Sequence, residues 1–291
     1  MPNVNKSSVN HAALLRNDLL KCAEKYLSSE NLDIHVYRSR GKVPVVLFRI
    51  FSAGSQHRHG NFHDESFASI VGNANWVRRL EKAHSGKTRG WFNTADAANA
   101  RELDSCTSSD ALAMNIFCHP SIANNERLAK MLGFGRLPEP DFGFKAQLPF
   151  EGGGCEIRST EIDIRLHSAQ QTVLVECKLT EPDFTSRPRA AVQRYASFNE
   201  TFNVLQLPRK NDNFLHYQLI RNVLAARHHE ARFALICDSR RPDLQQAFDV
   251  VVNAIIDPQL RDRCSVITWQ TINTTLPPCL QSFLALKYGI N

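Results

Sequence analysis

Along residues 12–27 apolar positions fall three or four apart, at Leu15, Leu19, Cys22 and Tyr26, which predicts a helix with one buried stripe. Residues 43–51 read as a strand and 67–82 as a second helix. The stretch 93–110 is polar and alanine-rich and ends in Ser108-Ser109-Asp110, where Ser109 or Asp110 can cap a helix over 111–118. A helix over 122–132, stopped by Gly133 and Gly135, is followed by three strand patterns at 142–148, 161–166 and 172–179. Gly152-Gly153-Gly154 separates the first two strands, and the polar run 167–171 separates the second and third. A helix over 213–228 and a strand over 232–237 come next, then a helix at 243–256, a strand at 264–269 and a helix at 280–286.

From residue 122 onward the order is helix, three strands, helix, strand, which predicts an α/β fold with a mixed central sheet flanked by helices. Residues 1–107 read as a mainly helical N-terminal elaboration, separate or part of the same domain, and 108–291 as the main domain. No internal repeat, low-complexity tract or long linker interrupts the chain.

Composition adds little. The 291 residues are 43% hydrophobic and 22% charged, values of an ordinary globular protein. A net charge of +6 is compatible with a polyanionic partner. No apolar run reaches the ~20 residues needed to cross a bilayer, so no membrane association is expected. The first ten residues are polar and lack a signal core, which points to a cytoplasmic protein. Of eight cysteines none is spaced Cys-x-x-Cys, so they read as reduced core residues rather than disulfides or a zinc cage.

The chemistry lies in two strands. Alternation places Glu161, Asp163 and Arg165 on one face and Ile162, Ile164 and Leu166 on the other. In the next strand Glu176 and Lys178 share a face, opposite Val173, Val175, Cys177 and Leu179. Asp163 and Glu176 can then converge with Lys178 on one polar edge, where the carboxylates could hold Mg²⁺, with Mn²⁺ able to substitute. Lys178 could orient or help deprotonate a water, or stabilise charge on a phosphate under attack. The bland alternative is a solvated strand face, on which Glu-x-Lys is common.

These residues resemble the PD-(D/E)XK nuclease superfamily, whose core is αβββαβ. Ile162-Asp163 and Glu176-Cys177-Lys178 carry the resemblance, with Ile162 standing where the family's name has proline. The segments 108–115, 159–163, 175–181 and 217–222 are similar to restriction-endonuclease-like bacterial proteins. The resemblance covers 108–237 and implies a restriction-endonuclease-like fold and metal-dependent cleavage of DNA, with Asp163, Glu176 and Lys178 as the catalytic core. It also implies that Gln218 touches a phosphate or the attacking water, with Arg221 a turn away. Both residues could equally edge an amphipathic helix.

Glu126, at the border of the apolar stripe of its helix, is a candidate third acid and metal ligand, or an exposed glutamate. Glu161 is an alternative ligand to Asp163. Arg78, Arg79, Lys82, Lys87 and Arg89 between Trp76 and Trp91, and Arg187 and Arg189 beyond the second acid-bearing strand, could follow a nucleic-acid backbone or line a solvated face. His57, His59 and His63 have zinc-like spacing, but the glycine- and polar-rich segment reads better as a surface loop. No Walker-type loop and no nucleophile elbow is present. The expectation is a Mg²⁺-dependent deoxyribonuclease, which as a homodimer could cut both strands. The rival is a catalytically inactive scaffold that binds nucleic acid or a partner protein.

Overall fold

The computed structural model describes residues 9–32, 36–38, 45–53, 56–84, 100–151 and 155–291. Lys87, Arg89 and Trp91, and the three glycines 152–154, lie outside them. Helix α1 (His11–Glu30) starts where the Asn10 side chain accepts from the Ala13 N–H, and ends at Asn31, which takes the left-handed conformation. Its buried stripe is Ala12, Leu15, Leu19, Ala23, Tyr26 and Leu27. The predicted strand at 43–51 divides at Arg49 into β2 (Val46–Phe48), paired with β1 (Val36–Arg38), and β3 (Ile50–Ala53), paired with β4 (Gln56–His59). The N-terminal part is therefore less purely helical than its sequence reads. The predicted helix 67–82 also divides, into α2 (Asp64–Gly72) and a 3₁₀ segment, Val77–Glu81.

Helix α3 (Ser109–Phe117) is capped by Ser108, whose hydroxyl accepts from the Ala111 N–H. Neither Ser109 nor Asp110 is needed as the cap, so both side chains are free for other work. Helix α4 (Glu126–Met131) begins four residues later than its pattern suggests. Asn125 caps it at the Leu128 N–H, and a 3₁₀ turn, Pro120–Asn124, occupies the preceding residues.

The central sheet is built from β5 (Pro140–Glu151), β6 (Cys155–His167) and β7 (Thr172–Cys177). A small three-stranded sheet follows, β8 (Ser186–Pro188), β9 (Arg209–Lys210) and β10 (Asn213–Leu215). Strand β10 takes the first residues of the predicted 213–228 helix, which shortens to α5 (Tyr217–His228). Then come β11 (Arg232–Cys237), α6 (Pro242–Asn253), β12 (Cys264–Thr268), α7 (Trp269–Asn273) and α8 (Pro278–Tyr288). The sheet order is β12-β11-β7-β6-β5; the β5–β6–β7 meander is antiparallel, whereas β7–β11 and β11–β12 are parallel. The fold is thus mixed α/β around a five-stranded mixed sheet.

Two apolar layers sandwich the sheet. Leu174, Phe233 and Leu235 face α5 and α6, and Val173, Val175, Ala234 and Ile236 face a layer that includes α1, α3, α4 and α8. Strands β7 and β11 are buried on both faces, as near-continuous apolar runs in parallel sheets should be. Strand β6 departs from simple alternation. Ile164 and Leu166 join the α3 layer but Ile162 joins the α5 layer, and on β5 Phe142 and Phe144 divide in the same way. The change of side occurs where Gly143 stands opposite Asp163. That rung is missing from the ladder, and Gly143 has φ +71°, a conformation glycine tolerates best. A Cβ on Gly143 would also lie 3.1 Å from the Arg79 guanidinium carbon, so only glycine lets that side chain approach.

Candidate active site

The register that pairs Ile164 with Val175 brings Asp163 level with Glu176, where the ladder stops. The Cys177 N–H donates to the Asp163 carboxylate at 2.7 Å. Beyond β7 the Lys178 N–H donates to the Ile236 carbonyl (2.8 Å), and the Trp269 indole donates to the Lys178 carbonyl (3.0 Å). The loop after Lys178 is held by Arg241, fully buried, which donates to the Leu179 carbonyl at 2.8 Å. Both neighbours of the predicted acids are therefore fixed by backbone bonds.

Glu176 is 1% exposed and Lys178 7%, which excludes the solvated-face reading. The Lys178 ammonium lies 2.9 Å from Glu176 Oε1. Gln218 donates to the same oxygen at 2.6 Å, and Asn222, one helical turn further along α5, donates to Oε2 at 2.9 Å. Asn222 is oriented in turn by the Thr160 hydroxyl, at 3.2 Å. A carboxylate buried this deeply requires such pairing and hydrogen bonding.

Asp163 and Glu176 line a cleft of about 260 Å³ with Lys178, Gln218, Glu161, Lys82, Ser109, Asp110 and Glu181. Asp110, in the first turn of α3, accepts from Arg79 (2.7 Å) and Lys82 (2.8 Å). Glu161 pairs with Arg79 (3.2 Å) and with Lys145. Glu181 accepts from Ser109 (2.7 Å) and from the Leu179 N–H (2.7 Å). A second hollow of about 240 Å³, bordered by Arg16, His84 and Asp183, shares Lys178, Glu181 and Gln218 with the first.

The electrostatics divide these acids. Burial, then the nearby charges of Glu176 and Asp110, push the Asp163 pKa well above the usual carboxylate value, and Lys178 only partly offsets them. Glu161 goes the other way: burial works against its charge, but Lys145, Lys82 and Arg79 bring it down to about 2. For Lys178 burial disfavours the ammonium, yet Glu176, with Glu181 and Asp163, outweighs it and raises the pKa above the usual lysine value. Lys178 therefore favours its ammonium form in the metal-free chain.

Of the residues singled out in the sequence, Asp163, Glu161, Glu176, Lys178, Lys82 and Gln218 meet in this cleft. One N–H of Gln218 is given to Glu176. Glu126 does not belong: it is the exposed first residue of α4 and does not line the cleft. The helical acid is Asp110 instead, and Asp110 and Glu181 are additions the strand pattern did not single out. Arg79, expected to follow a nucleic-acid backbone, is held inside the cleft by two carboxylates, whereas Arg78 is exposed. Arg221 donates to the Ser159 carbonyl and lies 5.3 Å from the centre of the Tyr217 ring. Arg187 lies 5.7 Å from that ring, and Arg189 5.9 Å from Phe214, so these cations form a rim at the start of α5.

The histidines do not converge as their spacing suggests. His57 is exposed, whereas His59 is buried and bonded to Asp104 at 3.2 Å. The surface-loop expectation fails at His59 because β4 carries it inward. The described cysteines are free, and Cys106, Cys118, Cys177 and Cys237 are buried.

The structure is thus a mixed α/β sheet with an acid-and-lysine cleft at the ends of its buried strands. The chain is a member of the family described as "Restriction Endonuclease associating with ARP", which matches residues 24–289. That match takes in the N-terminal part as well as the sheet. Comparison with curated proteins and with solved structures gives no match. No described helix is long and apolar enough to cross a membrane.

Proposed function

We propose that this chain is a metal-dependent nuclease hydrolysing phosphodiester bonds of DNA, a restriction-endonuclease-like or phage-defence enzyme on an αβββαβ core. The observation that carries the reading is the buried Glu176–Lys178 pair beside Asp163, which has no cationic partner of its own among the described residues. A divalent cation fits there. Burial, then the negative charge of Glu176 and Asp110, raises the pKa of Asp163 beyond what Lys178 offsets, and carboxylate oxygens are the donors Mg²⁺ or Mn²⁺ prefers. Asp163 and Glu176 would hold the ion, with Asp110 taking the part expected of Glu126. When bound, the metal supplies Lewis acidity at the phosphate and acidifies a water.

The chain's own groups do the rest. Lys178, protonated, is placed to stabilise charge building on phosphate oxygens. Gln218 and Asn222 fix the orientation of Glu176, and are positioning residues. Arg79 and Lys82 can neutralise a phosphate entering beside Asp110, and the rim of Arg187, Arg189 and Arg221, with Arg78, can meet neighbouring phosphates. Cutting both strands would take a symmetric homodimer, one cleft per strand.

One observation favours the inactive alternative. Asp110 is already neutralised by Arg79 and Lys82, and among the described residues no three cleft carboxylates gather as a metal-ligand cluster. The assay is incubation with plasmid, linear and single-stranded DNA in Mg²⁺, Mn²⁺ or EDTA. Cleavage that needs the divalent ion, and is lost in Asp163→Asn and Glu176→Gln, is expected. Salt-dependent DNA binding without turnover in any metal would leave only the scaffold reading.

A further inference from the structure

A second cluster of metal-ligand type lies apart from the cleft, assembled from three distant segments. His63 immediately precedes α2, His119 follows α3 and precedes the 3₁₀ turn Pro120–Asn124, and Cys279 is in the first turn of α8. One nitrogen of each imidazole and the Cys279 sulfur lie within 4.8 Å of one another. The two rings are 5.1 Å apart. Phe283, one turn beyond Cys279 on α8, packs on the His63 ring at 5.7 Å and 78° and helps fix its plane.

The nitrogens lack partners where partners are expected. His119 Nε2 and His63 Nδ1 are buried, and neither has a hydrogen bond among the described residues. The His119 side chain is 2% exposed. Orphaned polar atoms are few in folded proteins, and each costs roughly 1–3 kcal/mol unless something satisfies it. His119 Nδ1 lies 2.8 Å from the Ser121 hydroxyl. With Nδ1–H donated to that hydroxyl, the Nε2 lone pair faces the cluster, the arrangement that orients metal-bound histidines. The Ser121 N–H, 3.3 Å from the same nitrogen, is the longer contact and belongs to the opposite tautomer.

We propose that His63, His119 and Cys279 bind one Zn²⁺ ion, with Glu65 or a water as fourth ligand. Glu65 Oε2 lies 3.6 Å from His119 Nε2. Tetrahedral zinc with ligands at ~2.0–2.3 Å needs donor atoms roughly 3.3–3.8 Å apart, so the cluster closes by about 1 Å. Imidazole and thiolate select zinc over the hard, oxygen-preferring Mg²⁺ assigned to the cleft. The ion would clip α8 to the segments that lead into α2 and out of α3.

The test uses the full chain, stripped with chelator and dialysed against Zn²⁺ alone. Elemental analysis is expected to find about one zinc per chain. Substitution with Co²⁺ is expected to give a thiolate-to-metal charge-transfer band. Cys279→Ser, at an exposed position, should keep the circular dichroism of the parent, lose the band and weaken zinc affinity ~100-fold or more. His63→Ala should weaken it likewise, and Asp163→Asn should leave stoichiometry and band unchanged. Absence of retained zinc in the parent overturns the proposal. So does zinc retention unaffected by Cys279→Ser and His63→Ala, or lost only in Asp163→Asn, which would place the ion in the cleft.

Discussion

Replacing Lys178 with methionine keeps an unbranched side chain one atom shorter and removes the charge that Glu176 faces at 2.9 Å. Glu176, 1% exposed, then has only the Gln218 and Asn222 amides. It is then a buried anion without a cationic partner among the described residues. Breaking buried pairs typically costs about 3–5 kcal/mol, so Lys178→Met should destabilise by roughly 3 kcal/mol. Glu176→Gln leaves the ammonium near Asp163 and Glu181 but turns an amide N–H₂ toward amide donors, at about 1–3 kcal/mol. The double variant removes both charges and should cost only about 1–2 kcal/mol, a coupling of 2 kcal/mol or more. Urea midpoints at pH 7.5 without divalent ions measure the cycle, and plasmid nicking in Mg²⁺ follows activity. The double variant is expected to be folded and inactive, separating lost chemistry from lost structure. Additivity within ~0.5 kcal/mol would refute the argument that the two charges hold each other in the core.

Asp163→Asn should stabilise the metal-free protein, increasingly as pH rises. Because the folded pKa of Asp163 is raised, its contribution is fully present below the ordinary carboxylate range and is lost as pH climbs through the folded value, a penalty asparagine escapes. Equal urea midpoint differences at pH 5 and pH 8 would contradict this. Lys287 is a second buried amine, without a hydrogen-bond partner among the described residues and 3.9 Å from the Phe48 ring centre. Burial lowers its pKa to about 7, so its contribution is complete above the usual lysine value and is lost as pH falls to about 7. The penalty near pH 7 is on the order of 4 kcal/mol, and the aromatic faces return about 0.5–2 kcal/mol. Lys287→Met should therefore raise the urea midpoint at pH 7.5 by the equivalent of ~2–4 kcal/mol and flatten the rise of stability between pH 7 and 10; a lower midpoint would show that the aromatic faces outweigh burial.

The two-residue period of the strands was enough to bring Asp163, Glu176 and Lys178 together, because register follows from which face is apolar. Strand β11 was read to the residue, since a five-residue apolar run between Arg232 and Asp238 leaves little choice. Helix starts were harder. Asn125 and Ser108 compete with neighbours of similar capping ability, and misplacing the α3 cap concealed Asp110 as a cleft acid. An acid just inside a serine-capped helix, paired by cations some thirty residues upstream, leaves no periodic trace. Nor did alternation reveal the change of side at Asp163, whose only sequence signal is an isolated glycine on the partner strand. The histidine spacing misled because β4 separates His57 and His59 from His63, whose neighbours come from residues 119 and 279.

The two sides of the cleft differ in how they are attached. Asp163, Glu176 and Lys178 ride on strands whose backbone bonds cannot open without unzipping the sheet. Arg79 and Lys82 come from one short 3₁₀ segment and its end; they reach Asp110 and Glu161 through side-chain ion pairs, and the Glu102 N–H donates to the Lys82 carbonyl at 2.7 Å. The cleft thus has one wall set by the sheet and one set by side-chain charge: ionic strength acts on the pairs of Arg79 and Lys82, while the acid-bearing edge keeps its register.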